Sequence, residues 1–383
     1  MSKSSKIWLS SPHMGGNELN FIQEAFDTNW IAPLGPNVNG FESDIQAYLK
    51  TKKSIAALSS GTAAIHLALV QLGVKNGDEV ICQSFTFCGS VNPIIYQGAK
   101  PILVDSEPQT WNICPIALEE AIEDRIKRGK RPKAIIAVHL YGMPYQVEAI
   151  HHIADKYKIP IIEDAAEALG STYNNQACGT FGEFGVLSFN GNKIITTSGG
   201  GALVCENQTV KDKTVFYATQ ARENAPHYEH THIGFNYRMS NIVAGIGRGQ
   251  IQVLDKHIGM RRAMHSFYKS IFKDVDAINV FEDKRDNIFS NHWLSAITIK
   301  KDANFTPEDL RLALLEDQIE SRPLWKPMHM QPVFKDLPFY GQSTAEDLFE
   351  RGLCLPSGSN LTDHEKNRIS IKINEFLKYY GLI

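Results

Sequence analysis

The chain is predicted to be an α/β protein, with a large, mainly parallel sheet sandwiched between helices over residues 1–250 and a smaller α+β domain over 251–383. Three observations carry this reading. Through the first two thirds, short β-rich runs alternate with helix-like segments, the pattern of strand–helix–strand units. The runs are continuously apolar rather than alternating, as suits strands covered on both faces. The alternation ends near Gly245 in a long helical pattern, "GIGRGQIQVLDKHIGMRRAMHSFYKSIF", which has the form of a connector between lobes.

In chain order, strands are expected at "SIAALS", "EVICQSFTF", "KAIIAVHLYG", "IPIIEDA" and "FGVLSFN". Helices such as "GTAAIHLALVQLGV" and "YQVEAIHHIADKYK" separate them. The dense charge run "EEAIEDRIKRGKRPK" has one apolar stripe (Ala121, Ile122, Ile126), so it reads as the solvated face of a helix rather than a nucleic-acid patch. Beyond the connector come a strand "WLSAITIK", a helix "TPEDLRLALLED", a strand "IESRPLW" and a last helix "DHEKNRISIKINEFLKYY". No internal repeat or low-complexity linker divides the chain, so the lobes are expected to share an interface.

With 383 residues, 43% of them hydrophobic and 21% charged, the composition is that of a soluble protein able to bury a sizeable core. A net charge of −3 gives no global attraction to nucleic acid or anionic membrane. The six cysteines form no CxxC pair and fit reduced thiols in a cytoplasmic protein. The opening "MSKSSKIWLSSPHMGG" lacks the apolar region of a signal peptide, and no apolar stretch is long enough to span a bilayer. No metal is expected: the histidines of "HYEHTH" (His227, His230, His232) match no standard ligand spacing. The "GGG" at Gly199 to Gly201 is not a dinucleotide fingerprint.

Three stretches point to chemistry. In "LSSGTAAIHLAL", Ser60, Gly61 and Thr62 open a helix just after a strand, where free N–H groups suit an anion such as phosphate; they are equally ordinary N-cap residues. In "IPIIEDAAEALG", Asp164 follows an apolar strand at the end where open α/β sheets bind ligands. A carboxylate there needs a cationic partner, and a protonated ring nitrogen is one. Glu167 lies one turn further on. In "SFNGNKIITTSGGG", Lys193 has few charged neighbours in sequence, which would leave its amine desolvated and nucleophilic, fit to form and break a Schiff base. Ser188, five residues earlier, can donate to a phosphate. Phosphate cradle, carboxylate and isolated lysine together describe a site for pyridoxal 5′-phosphate.

The chain resembles the DegT/DnrJ/EryC1/StrS family of sugar aminotransferases along essentially its whole length. The resemblance is carried by "SSGTAAIHLAL", "SFTFCGSVNPI", "DAAEALGS", "GTFGEFGVLSFNGNKIITTSGGGAL", "GFNYRMSNIVAGIG" and "LWKPMHMQPVF". It implies a fold-type-I pyridoxal-phosphate transferase. Further segments, among them "SPHMGGNEL", "TQARENAPHYEH" and "ESRPLWKPMH", are similar to the branch that aminates UDP-linked 4-keto sugars.

Carried over position by position, the resemblance implies that Lys193 holds the cofactor covalently and moves the proton between cofactor and substrate carbon. Asp164 would pair with the ring nitrogen. Glu167, often Gln or His in the family, would contact the phenolic oxygen. Gly61, Thr62 and Ser188 would hold the phosphate, and Phe87 would stack on the ring. Asn236 would reach the phosphate of a neighbouring subunit, implying a homodimer with shared active sites. Arg238 and His329 would fall near the substrate; the alternative for His329 is a satisfied loop histidine.

One position departs from the family: an acidic residue is usual where Ser198 stands. Lys193 separates the chain from the family's dehydratases, which carry histidine there. The expected reaction moves an amine from L-glutamate to C4 of a nucleotide-linked, 4-keto-6-deoxy-N-acetylhexosamine, with UDP as the expected nucleotide. The alternatives are another keto sugar (dTDP- or GDP-linked, or aminated at C3), a small-metabolite aminotransferase, and a pyridoxal-phosphate-binding protein without turnover.

Overall fold

The computed structural model describes residues 5–383, so the first four residues of the opening segment lie outside it. The first two thirds of the chain form strands β1 (Ser54–Leu58), β2 (Glu79–Gln83), β3 (Lys100–Val104), β4 (Ala134–Val138), β5 (Ile161–Asp164), β6 (Thr172–Tyr173), β7 (Gln176–Ala177), β8 (Phe184–Ser188) and β9 (Gly201–Cys205). The last third adds β10 (Ile278–Val280), β11 (Ile288–Phe289), β12 (Ser295–Ile299), β13 (Arg322–Pro323), β14 (Phe339–Tyr340) and β15 (Gly352–Leu355). The main sheet has the order β1-β9-β8-β5-β4-β2-β3-β14. From β8 to β14 every neighbouring pair is parallel. Only β9 runs against its neighbours, β1 and β8.

Both faces of this sheet are apolar because successive residues of each strand point to opposite sides. In β2, Val80 and Cys82 pack toward the helix Gly61–Gln71, while Ile81 joins the helices Pro115–Lys127 and Val147–Tyr157. In Pro115–Lys127, Ala121 and Ile122 are buried as expected, whereas Ile126 is exposed.

The connector is two helices, not one. Asn241–Ile251 and Leu254–Ile271 are separated by Gln252 and Val253, and Val253 leaves helical geometry at φ −111° and ψ 6°. Its side chain packs closely over Gly15 of the N-terminal segment: a Cβ built on Gly15 would lie 2.9 Å from Val253 Cγ2.

A second, antiparallel sheet has the order β10-β12-β15-β13. Ile297, Ile299, Leu353 and Leu355 meet the helices Pro307–Glu316 and Asp363–Tyr379 in a core of their own. The expected strand "IESRPLW" is only Arg322–Pro323, consistent with a proline that has no N–H for a ladder. Two segments cross the expected boundary at 250. Ile7 belongs to the second core and bridges Ile319, and β14 returns to the edge of the main sheet.

Candidate active site

The carboxyl ends of β5 and β8 and the start of Gly61–Gln71 open into a cavity of about 550 Å³, where ligands of open α/β sheets bind. Asp164 ends β5, Ser188 ends β8, and Lys193 stands in the turn that follows. All three line this cavity, as do Ser60, Gly61, Thr62, Phe87 and Glu167.

At the helix start, Ser60 is extended and its Oγ accepts the N–H of Ala63 at 3.0 Å. Ser60 is therefore the N-cap; its Oγ accepts there, which leaves its O–H free to donate to an anion. Helix geometry leaves the N–H groups of Gly61 and Thr62 without intrahelical acceptors. Two glycines let the backbone close around this corner. A Cβ on Gly201 would lie 2.3 Å from Ser60 C and 2.4 Å from Gly61 N, and one on Gly61 would lie 3.2 Å from Ser188 Cβ.

Asp164 is buried with both oxygens engaged. Oδ2 accepts from Ser90 Oγ at 2.7 Å, and Oδ1 accepts the Ala166 N–H at 3.1 Å. Phe87 is largely exposed at the cavity wall, with its ring 5.6 Å from that of Trp325.

Lys193 has few charged neighbours in sequence but one in space. Its Nζ lies 3.1 Å from Glu167 Oε1 and 4.2 Å from the centre of the Trp293 ring. The expectation of an amine remote from charge is corrected: the fold brings a buried carboxylate from the segment after β5. Glu167 Oε2 accepts the N–H of Tyr141, a buried residue in the left-handed region at φ 54°. Burial pushes the Glu167 carboxyl up to about 6, against the opposing pull of the Lys193 ammonium and the Tyr141 N–H.

The loop bearing Lys193 is anchored from both ends of the chain. The carbonyl of Asn192 accepts from Trp293 Nε1 at 2.8 Å and from Ser10 Oγ at 2.7 Å. The fully buried Arg261 donates to Ser10 Oγ at 2.9 Å and to the Trp293 carbonyl at 2.6 Å. Burial without a carboxylate partner pushes its guanidinium down to about 9. Ser90, Tyr141, Arg261, Trp293 and Trp325 were not singled out in the sequence. Each comes from a different element, and none sits in a short motif of its own chemistry.

The three residues implied near the substrate or a neighbouring subunit do not line this cavity. Arg238 is buried in an ion pair with Glu42 and also donates to the Ala57 carbonyl at 2.9 Å. His329 is bonded at both ring nitrogens, to Ser84 Oγ at 2.7 Å and Glu346 Oε1 at 2.9 Å, and stacks on Phe339. Both side chains are engaged by other residues of the same chain. Asn236 lies exposed next to the cap of Asn241–Ile251, its backbone bridged to Thr219. Ser198, at φ 72°, lies exposed in the glycine turn, its N–H bonded to Thr196 Oγ1 at 2.9 Å.

The donor set fits pyridoxal phosphate: N–H groups and hydroxyls at a glycine-lined corner, a buried carboxylate, and an amine within one cavity. Comparison with known proteins bears on the same point. Residues 12–374 match the model of the DegT/DnrJ/EryC1/StrS aminotransferase family. The chain is 50% identical to the pyridoxal phosphate-dependent aminotransferase EpsN of Bacillus subtilis over 95% of its length and 94% of that protein. It is 36% identical to GDP-perosamine synthase of Escherichia coli O157:H7, over 97% of this chain and 98% of that one. Among solved structures, a DegT/DnrJ/EryC1/StrS aminotransferase from Brucella abortus superposes with a TM-score of 0.87 at 28% identity, covering 94% of this chain and 95% of that one. These relatives do not single out the branch that acts on UDP-linked sugars.

Proposed function

The chain belongs to the DegT/DnrJ/EryC1/StrS aminotransferase family, and from that premise we propose that it moves an amino group from L-glutamate to C4 of a nucleotide-linked 4-keto-6-deoxy sugar. Its fold is the fold-type-I α/β arrangement and its cofactor is pyridoxal 5′-phosphate. The observation that carries the reading is the meeting of Lys193, Asp164 and the glycine-lined helix start in one cavity. When bound, the cofactor supplies an aldehyde that combines with amines and a ring that withdraws electrons from the adjacent carbon.

The chain's own residues do the rest. Gly61, Thr62 and Ser188 hold the phosphate. Asp164, oriented by Ser90, keeps the proton on the ring nitrogen. Phe87 packs on the ring. Lys193 holds the cofactor and then, as a free amine, carries the proton to and from the substrate carbon.

The motif similarity favours a UDP-linked N-acetylhexosamine as acceptor. The 36% identical GDP-perosamine synthase favours the GDP-linked alternative. Loading glutamate and offering UDP-, GDP- and dTDP-linked 4-keto sugars, with mass-spectrometric detection of the amino sugar, separates the two. Amination of none of them would sink the sugar reading. We further propose a homodimer in which Asn236 serves the partner's phosphate. Exposed Leu19, Phe26, Trp30, Ile31 and Leu34 form an apolar stretch suited to such an interface. The unpaired cysteines suit work in the reducing cytoplasm.

A further inference from the structure

We propose that Glu167 is the proton acceptor for Lys193 as the cofactor is loaded: a carboxylate paired with the lysine ammonium beforehand, it becomes a neutral acid that donates from Oε1 to the cofactor's phenolic oxygen. This rests on the assignment of Lys193 and pyridoxal phosphate made above. The argument begins with which oxygen is free. Oε2 accepts the Tyr141 N–H at 2.7 Å, so it is pinned as an acceptor, while Oε1 faces the lysine at 3.1 Å. An added proton therefore belongs on Oε1, on the cavity side.

The surroundings decide whether one is added. The titratable and charged groups acting on this buried carboxyl are Lys193 from the turn after β8, Asp164 from β5, Tyr141 from the turn after β4 and Cys354 from β15. Burial pushes the Tyr141 and Cys354 groups far up, so both stay neutral, and the proximity of Asp164 pushes the Glu167 carboxyl further up. Lys193 is the one cation among them. Once its nitrogen is joined to the aldehyde, the free ammonium no longer faces Oε1, and a buried carboxylate would face another oxygen. Two oxygens in contact need a hydrogen between them. Even beside the ammonium, burial already holds this carboxyl at about 6.

The step balances. The lysine nitrogen gives up three protons: two leave with the aldehyde oxygen as water, and the third passes to Glu167 Oε1. The carbon–oxygen double bond is replaced by carbon–nitrogen, and one positive and one negative charge disappear together. A glutamine at this position could donate a hydrogen bond but could not take up this proton.

The test is isotope-edited infrared difference spectroscopy on enzyme carrying 13C-carboxyl glutamate, recorded before and after adding pyridoxal phosphate, with the visible band recorded alongside. On loading, one label-sensitive carboxylate band should be lost and one protonated-acid carbonyl band gained. The gained band should be absent in Glu167→Gln, which still loads. In Glu167→Asp it should no longer respond to glutamate label and should respond to aspartate label instead. A loaded wild type with no label-sensitive acid band, or a band that persists in Glu167→Gln, overturns the proposal and leaves Lys193 in place. Failure to form any visible band or Lys193 adduct overturns the cofactor assignment and this proposal with it.

Discussion

Asp164 Oδ2 accepts a hydrogen bond from Ser90 Oγ at 2.7 Å, and Ser90 in turn lies 2.8 Å from Thr86 Oγ1. The Ser90 hydroxyl is spent on the carboxylate, so it accepts from Thr86, and the chain of hydroxyls points its polarity at Asp164. Replacing the carboxylate by an amide removes the charge that keeps the ring nitrogen protonated. Asp164→Asn is expected to retain some cofactor and lose turnover roughly 10²-fold or more, the scale of a lost proton-transfer partner. Ser90→Ala keeps the charge and loses one charge-assisted hydrogen bond, about 1.5–3 kcal/mol, so its turnover should fall by roughly tenfold to a hundredfold. Steady-state rates with the cofactor saturating decide both, and near-native turnover in Asp164→Asn would falsify the role given to that residue.

The glycine corner makes a prediction with an internal control. Gly201→Ala drives a methyl to 2.3 Å from the backbone of Ser60, at the start of the helix expected to hold phosphate. Backbone cannot swing aside as a side chain can, so the variant should lose about 1–3 kcal/mol of stability and bind cofactor more weakly. Gly199→Ala, two residues away, meets nothing within 4 Å and should leave stability unchanged. Equal urea midpoints for the two variants would show that the close approach at Gly201 carries no constraint.

Lys193, Asp164 and the Ser60–Thr62 corner were legible in the sequence because each sits at a strand end or helix start, where local pattern fixes position. Glu167 was legible as a cavity residue, but its pairing with Lys193 was not. The two are 26 positions apart and meet only because β5 and β8 are neighbours in the sheet. Arg261 was hidden for the same reason, since it reaches Ser10 from 251 positions away. The helix break at Gln252 and Val253 carries no proline or glycine, and Val253 packs there against Gly15, a tertiary contact no local pattern announces. Strands β2, β4, β5 and β8 were readable because each is a short apolar run between turns, whereas β3 and the two-residue β14 were not among the expected strands.

In the cofactor-free protein, Glu167 should leave a mark on stability against pH. Its carboxyl is raised from 4.5 to about 6, so the folded state binds this proton more tightly than the unfolded chain. The contribution is whole below about pH 4.5 and is lost as pH rises through about 6, a change of about 2 kcal/mol at 1.36 kcal/mol per unit. Glu167→Gln cannot titrate and should lack this decline. Urea unfolding of both proteins across that window isolates the effect, because other carboxyls contribute equally to each. Parallel profiles would mean that Glu167 does not titrate there.

Asn236 offers the sharpest test of a shared site. It is exposed and outside its own chain's cavity, so a part in cofactor binding requires a second subunit. Asn236→Ala and Lys193→Ala are each expected to be nearly inactive alone. In a mixed dimer, a residue acting across the interface puts both defects into one pocket and leaves the other intact. Activity should then return to about half of wild type per mixed dimer, if the two pockets work independently. If Asn236 served its own pocket, each pocket would carry one defect and mixing would restore nothing. Co-expression with two different tags, followed by sequential capture, yields the mixed species without relying on subunit exchange. A mixed dimer as inactive as its parents would remove the assignment across the interface and leave the role of Lys193 untouched.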